Sequence, residues 1–163
     1  MRKKLLFIVL MSLPFIVSAQ LRQRRAIELL GGVAVNDGAG GYHIAASAGP
    51  QWEHFGFSSY TSIVATPSSE FFNWTIVGLQ MKVLAGGDEI RPYGVFDFGL
   101  FNFQSINDKV NMRTASFDLG AGIDKPMKNG NGFLVDGRWK WLVDYAGKRE
   151  TIGVLALSVG LRF

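Results

Sequence analysis

Large apolar side chains recur at every second position along most of this chain, and no other feature limits the fold as much. The closing stretch LALSVGLRF sets Leu155, Leu157, Val159, Leu161 and Phe163 against Ala156, Ser158, Gly160 and Arg162. Chains usually end in a frayed polar tail; this one ends in mid-strand on an aromatic. No segment carries a convincing helical period.

Turn-like clusters break the alternation at NDGAGG (Asn36 to Gly41), TPSSE (Thr66 to Glu70), AGGDE (Ala85 to Glu89), INDKVN (Ile106 to Asn111), KPMKNGNG (Lys125 to Gly132) and AGKRE (Ala146 to Glu150). With a less distinct return near Gln51 to Gly56, they leave eight strands of roughly ten residues, the length a tilted membrane-crossing strand requires.

The two faces of these strands differ in kind. The seventh strand has Phe133, Val135, Trp139, Trp141, Val143 and Tyr145 on one face, with Gly137. Its other face carries Leu134, Asp136, Arg138, Lys140, Leu142 and Asp144. The fourth opposes Val77, Leu79, Met81 and Val83 to Gly78, Gln80 and Lys82. The sixth opposes Phe117, Leu119 and Ile123 to Ser116, Asp118, Gly120, Gly122 and Asp124, and the first opposes Ile27, Leu29, Val33 and Val35 to Glu28, Leu30, Gly32 and Ala34. In the fifth, taking Asp97 as inward sends Phe96, Phe98 and Leu100 outward, with Tyr93, Val95 and Phe101 inside. A dry soluble core needs bulk without charge, and the face that mixes Gly, Ala, Ser and charge supplies neither. That face suits a barrel lumen, and the bulky one suits lipid. A closed sheet also pairs every backbone donor, which an open sheet in hydrocarbon cannot. The expectation is an all-β, eight-stranded antiparallel transmembrane up-and-down β-barrel.

The first nineteen residues read as a cleaved leader, followed by the barrel domain at 20–163. Arg2, Lys3 and Lys4 head an apolar run from Leu5 to Val17, and Val17 and Ala19 are the small residues of a cleavage site before Gln20. A run of that length, broken by Pro14, is too short to span a membrane as a helix. Three of the 17 basic residues belong to the leader, so 14 face 13 acids in the domain. The high isoelectric point is then a property of targeting and gives no reason to expect a nucleic-acid partner. The absence of cysteine excludes a disulfide framework, a thiolate metal site and a lipid-modified cysteine. The 48% of hydrophobic residues still need somewhere to go, and lipid contact along strands provides it.

Aromatics gather toward strand ends: Tyr42 and Trp52 bracket the second strand, Phe71, Phe72 and Trp74 open the fourth, and Phe133 and Tyr145 flank the seventh. With Trp139 and Trp141 they are expected to form interfacial girdles.

RPYGVFDFGLFNF (Arg91 to Phe103), TASFDLGAGID (Thr114 to Asp124), GFLVDGRWKW (Gly132 to Trp141) and TIGVLALSVGLRF (Thr151 to Phe163) resemble the final four strands of small OmpA-like outer-membrane β-barrel proteins. Residues 91–163 carry the resemblance, and the first half joins it through its pattern alone. The resemblance implies both termini in the periplasm, insertion by the barrel assembly machinery, outer-membrane lipid as surroundings and a monomeric state. It also implies that the last strand pairs with the first and that Phe163 belongs to the assembly signal. Such barrels carry long extracellular loops. Here the connections after strands one, three, five and seven read as about five to ten residues, which argues against adhesion or receptor activity.

An eight-stranded lumen is filled by side chains, and its charges must pair. Glu28, Lys82, Asp97, Asp118, Asp136, Arg138, Lys140 and Arg162 are expected to form that network. Glu28 is expected to pair with Arg162 across the seam, and Asp118 with Arg138 or Lys140. Barrels of this kind that are lipid A deacylases or palmitoyltransferases use a His, a Ser and an acid near the outer rim. His43 lies in YHIAA, without the deacylase His-x-Ser arrangement, and His54 falls at the opposite end. No catalytic set, cofactor site or metal site is expected. The expected role is structural or interactive within the bacterial envelope. A narrow ion- or solute-conducting pore and a soluble periplasmic ligand-binding barrel are the alternatives.

Overall fold

The computed structural model describes residues 24–69, 71–87, 89–106, 109–112, 115–143 and 151–163, with backbone alone at 69, 104, 106, 109–112 and 151. The leader (1–19), residues 20–23, Asp144, Tyr145 and the AGKRE break lie outside the described residues. The described strands are β1 (Arg24–Asn36), β2 (Ala39–Gln51), β3 (Phe55–Thr66), β4 (Phe71–Leu84), β5 (Arg91–Ile106), β6 (Lys109–Met112), β7 (Ala115–Pro126), β8 (Gly132–Val143) and β9 (Thr151–Arg162). β6 and β7 follow one register along β5, from Lys109 opposite Ile106 to Asp124 opposite Arg91, and act as a single stave.

Each stave pairs antiparallel with its chain neighbours, and β9 pairs with β1, so eight staves close into an up-and-down barrel. The seam runs from Glu28 opposite Arg162 to Val35 opposite Leu155. Ile27 and Phe163 then exchange two backbone hydrogen bonds, of 3.1 and 2.9 Å, which carries the ladder to the last residue. The mid-strand ending thus completes the cylinder.

Local chemistry sets the turns. Asp37 and Gly38 both have positive φ, 48° and 77°, giving a two-residue hairpin whose twist matches its strands. Trp52, Glu53 and His54 link β2 to β3, and Pro67–Ser69 form a 3-10 turn before β4. The barrel strands, at 12 to 16 residues, exceed the ten expected. They grow at the expense of the connections. Two residues separate β1 from β2, and β5 from β6, where five to ten were expected. Of the INDKVN segment, Ile106, Lys109, Val110 and Asn111 take part in the β5–β6 ladder, and Asn107 and Asp108 lie outside the described residues.

Outward residues are apolar and exposed: Val33 is 59% exposed, Leu119 57% and Leu157 55%. Inward ones are charged and buried, with Asp97 at 0% and Arg138 at 2%. A soluble protein has the reverse distribution. The alternation holds on the first, fourth, sixth and seventh expected strands, now β1, β4, β7 and β8. One expectation fails. Phe101 faces outward at 60% exposure, beside outward Leu100. The β4–β5 register slips so that Thr75 opposes Asn102, Val77 opposes Phe101 and Gly78 opposes Gly99. Ile76 and Leu100 have no register partner, and this bulge places two consecutive outward residues on each strand.

Two apolar layers bracket the central charges, as Leu134 and Leu142 bracket Asp136, Arg138 and Lys140 along β8. Ala34, Val64, Phe71, Leu142 and Val154 pack near the distal end, which the Asp37–Gly38 turn marks. Leu30, Ala45, Leu84, Tyr93, Val95 and Leu134 pack toward the terminal end, where Arg24 and Phe163 lie. Glycines make room for the long lumen side chains. A Cβ on Gly120 would stand 2.6 Å from the Gly137 carbonyl oxygen and 2.8 Å from Arg138 Cγ, whereas one on outward Gly94 would meet nothing within 4 Å. Gly120→Val is therefore expected to cost about 1–3 kcal/mol through overpacking. Gly94→Val should be neutral or slightly stabilising. Urea unfolding midpoints of the two variants, measured against the parent in the same detergent, check the contrast.

Candidate functional site: the charged lumen

The lumen charges sit on alternate positions of strands that face one another across the barrel, so each side chain chooses among several partners. Arg138 on β8 is central. Its Nη1 donates to Asp97 Oδ2 on β5, and its Nε donates to Asp136 Oδ1 at 2.5 Å. Tyr93 on β5 donates its hydroxyl to Asp136 Oδ2 at 2.7 Å. Lys140 Nζ lies 2.9 Å from Asp118 Oδ2 and donates to the Tyr60 hydroxyl at 2.7 Å, while Tyr60 itself donates to Asp118 at 2.8 Å. Tyr60 belongs to β3, so this triangle ties β3 to β7 and β8 through the interior.

Nearer the terminal end, Lys82 Nζ on β4 donates to both oxygens of Glu28 on β1, each at 2.6 Å, and lies 4.2 Å from the Tyr93 ring centre. Last comes Asp124 on β7, which accepts from Arg162 Nε at 3.1 Å and from Arg91 Nη2.

Sequence reasoning brought the right residues into the lumen but mispaired one of them. Glu28 and Arg162 are direct cross-strand neighbours. Their side chains nevertheless part company, Glu28 to Lys82 and Arg162 to Asp124. A carboxylate and a guanidinium projecting into a closed cylinder can reach three staves away, and a two-oxygen contact with an ammonium outcompetes a neighbour already held by another acid. Asp118 meets Lys140 directly across the β7–β8 ladder. Tyr60, Tyr93, Arg91 and Asp124 complete the network, and the sequence reading gave them no part in it. The inward parity of Tyr93 and Asp124 was a signal for both.

His43 is inward and 1% exposed, and its Nδ1 lies 2.8 Å from Ser158 Oγ on β9. The ring reaches across Gly32, the β1 residue that opposes both His43 and Ser158. Alternation on β2 and β9 could have shown this pair, but chain separation concealed it. Ser158 is 4% exposed within the lumen, away from the outer wall that lipid would touch. Among the described residues no three His, Cys, Asp or Glu side chains group in a way that could hold a metal ion.

The expected girdle residues Tyr42, Trp74, Phe133 and Trp141 face outward near the barrel's rims. Trp52 lies in the β2–β3 turn, stacked on Phe55 at 6.0 Å. Trp139 is outward near the middle of β8, away from either rim, in edge contact with Trp141.

No protein-family model matches the sequence, and no curated protein matches it significantly. Solved structures do match in fold. Neisserial surface protein A aligns over 86% of this chain and 95% of its own, with a TM-score of 0.65 at 14% identity. The N-terminal β-barrel domain of Pseudomonas aeruginosa OprF aligns over 87% of this chain and 100% of its own, with a TM-score of 0.54 at 13% identity. The outer membrane enzyme PagL aligns over 83% and 98%, with a TM-score of 0.52 at 12% identity. The chain has the fold of the small eight-stranded outer-membrane barrels.

The network divides its charges unevenly. Arg138 and Lys140 face Asp97, Asp118 and Asp136, and Asp97 stands directly opposite Asp118. Removing Arg138 strands two buried carboxylates, so Arg138→Met is expected to cost about 3–5 kcal/mol. Asp97→Asn relieves a like-charge contact and should change stability by about 1 kcal/mol or less. Denaturant titration followed by tryptophan fluorescence distinguishes the two.

Proposed function

We propose that this protein is an integral outer-membrane β-barrel with a structural or interaction role in the bacterial envelope and no catalytic activity. The outward apolar surface of a closed barrel around buried charge carries the reading. A soluble ligand-binding barrel would leave that whole band in water, far beyond the few hundred Å² of contiguous apolar surface that soluble monomers tolerate. The terminal end faces the periplasm in this reading, and outer-membrane lipid surrounds the wall. The leader directs export, the barrel assembly machinery inserts the chain, and the inserted barrel is a monomer.

Two observations support a structural role over transport or adhesion. Asp97, Asp118, Arg138 and Lys140 are each at most 2% exposed, which favours a braced, closed lumen over a conducting one. The distal connections at 37–38 and 107–108 have two residues each, little surface for a receptor. Catalysis at lipid is disfavoured because His43 and Ser158 are enclosed in the lumen.

Detergent-extracted outer-membrane fractions should yield a band whose gel mobility differs between unheated and boiled samples, because a folded membrane barrel resists SDS until boiled. Recovery in the soluble periplasmic fraction with no shift would move the ligand-binding reading to first place. Reproducible single-channel steps in planar bilayers, altered by Arg138 or Lys140 substitution, would favour the pore. Lipid A turnover abolished by His43→Ala would overturn the non-enzymatic assignment. Deleting Phe163 removes both bonds to Ile27 and should reduce insertion by the assembly machinery, while refolding into detergent persists with a lower unfolding midpoint.

A further inference from the structure

Below the last ion pairs the barrel opens into a cavity of about 310 Å³ at its terminal end. Arg24, Arg91 and Arg162 line it, along with Trp52, Met127 and the single carboxylate of Glu53. Its inner limit is a water-sized crevice beside Glu28 and Lys82, which shares Ala26 and Gln51 with it. The cavity is thus a cup open at one end.

Among the described residues that line this cup, cationic side chains outnumber carboxylates. Asp124 satisfies one edge of Arg91 and one edge of Arg162, and Arg162 Nη1 donates onward to the Gly130 carbonyl at 3.2 Å. Arg91 Nε and Trp52 Nε1 are buried and have no hydrogen-bond partner among the described residues. Arg24 has no ion pair among the described residues. Both orphaned atoms are obligate donors, since neither a guanidinium nor an indole N–H can accept. Leaving such groups unpaired is costly, and a ligand rich in acceptors relieves the cost. The charges agree: three guanidinium groups face Glu53 and Asp124, with exposed Arg25, Lys125 and Lys128 close by along the chain.

We propose that this cup is a binding site for a phosphate group, carried either by a free anion or by a phospholipid headgroup at the membrane surface. The donor-bearing side chains that line the cup come from three separate elements: β1 (Arg24), the β2–β3 turn (Trp52) and β5 (Arg91). A planar carboxylate offers two oxygens in one plane, as Asp124 already does here. A tetrahedral phosphate offers oxygens in several directions, which suits donors that arrive from separate elements, and guanidinium groups recognise it well. Trp52 and Met127 supply an apolar flank for whatever body the phosphate carries. The site belongs to the barrel mouth; the free-anion form does not depend on the membrane assignment, whereas the headgroup form rests on it.

The test uses the refolded full domain in a nonionic detergent that contains no phosphate. Inorganic phosphate is titrated while its 31P signal and the heat of binding are followed. In parallel, the protein in nanodiscs of phosphatidylglycerol is compared with the protein in nanodiscs of a glycolipid lacking phosphate. Trp52→Phe keeps an aromatic ring and deletes one donor, and Arg24→Gln removes a charge that has no ion pair among the described residues. Retained heat-modifiable gel mobility shows that both variants fold. Saturable millimolar or tighter binding, weakened about tenfold by each substitution, supports a site for a free anion. Absence of phosphate binding, with phosphatidylglycerol retention sensitive to the same substitutions, supports a headgroup site. No saturable binding of either probe, or binding unchanged in both variants, overturns the proposal.

Discussion

Closure of β9 onto β1 is the constraint on which the rest of the structure depends. Backbone groups along a free edge have no partners in hydrocarbon, so in the proposed membrane setting an open sheet could not turn Val33, Leu119 and Leu157 outward. The β1–β9 ladder, extended by the Ile27–Phe163 exchange, removes that edge. Once the edge is gone, the sheet is free to turn its apolar face outward, and the lumen becomes the only place for charge.

Placing charge there has a consequence for packing. Ions cut off from water are stable only when paired in good geometry. Here the partners are drawn from distant staves: Lys82 with Glu28 joins β4 to β1, Arg138 with Asp97 joins β8 to β5, and Tyr60 with Asp118 joins β3 to β7. These contacts act as cross-braces inside the hydrogen-bonded wall. Small residues make them possible. Gly32 lets His43 reach Ser158, and Gly120 leaves space beside Arg138. At the terminal end the bracing runs out, and a cup lined by guanidinium groups replaces the ion-paired network.

Much of this was legible in the residues themselves, because a strand's two faces are separated by a strict period of two. Glu28, Lys82, Asp136, Arg138 and Lys140 could be assigned to the lumen from parity alone. So could the outward set of Leu155, Leu157 and Val159. Phe101 marks where parity stops working. A bulge inserts one position, and nothing in the local sequence VFDFGLFNF marks it, since Leu100 and Phe101 fit either face. Loop lengths were overestimated for a related reason. Polar residues form ladder pairs as readily as turns, as Lys109 and Asn111 of INDKVN do.

The sequence by itself determined the strand count, the inverted faces and the membership of the lumen, because alternation is a local property that each strand carries independently. Only the tertiary structure decided who pairs with whom. Glu28 and Arg162 are adjacent in register yet bind Lys82 and Asp124, because inside a closed cylinder the distance across the lumen competes with the distance along the sheet. Strand tilt, bulges and the size of each intervening glycine set that distance, and none of these is written in any one strand.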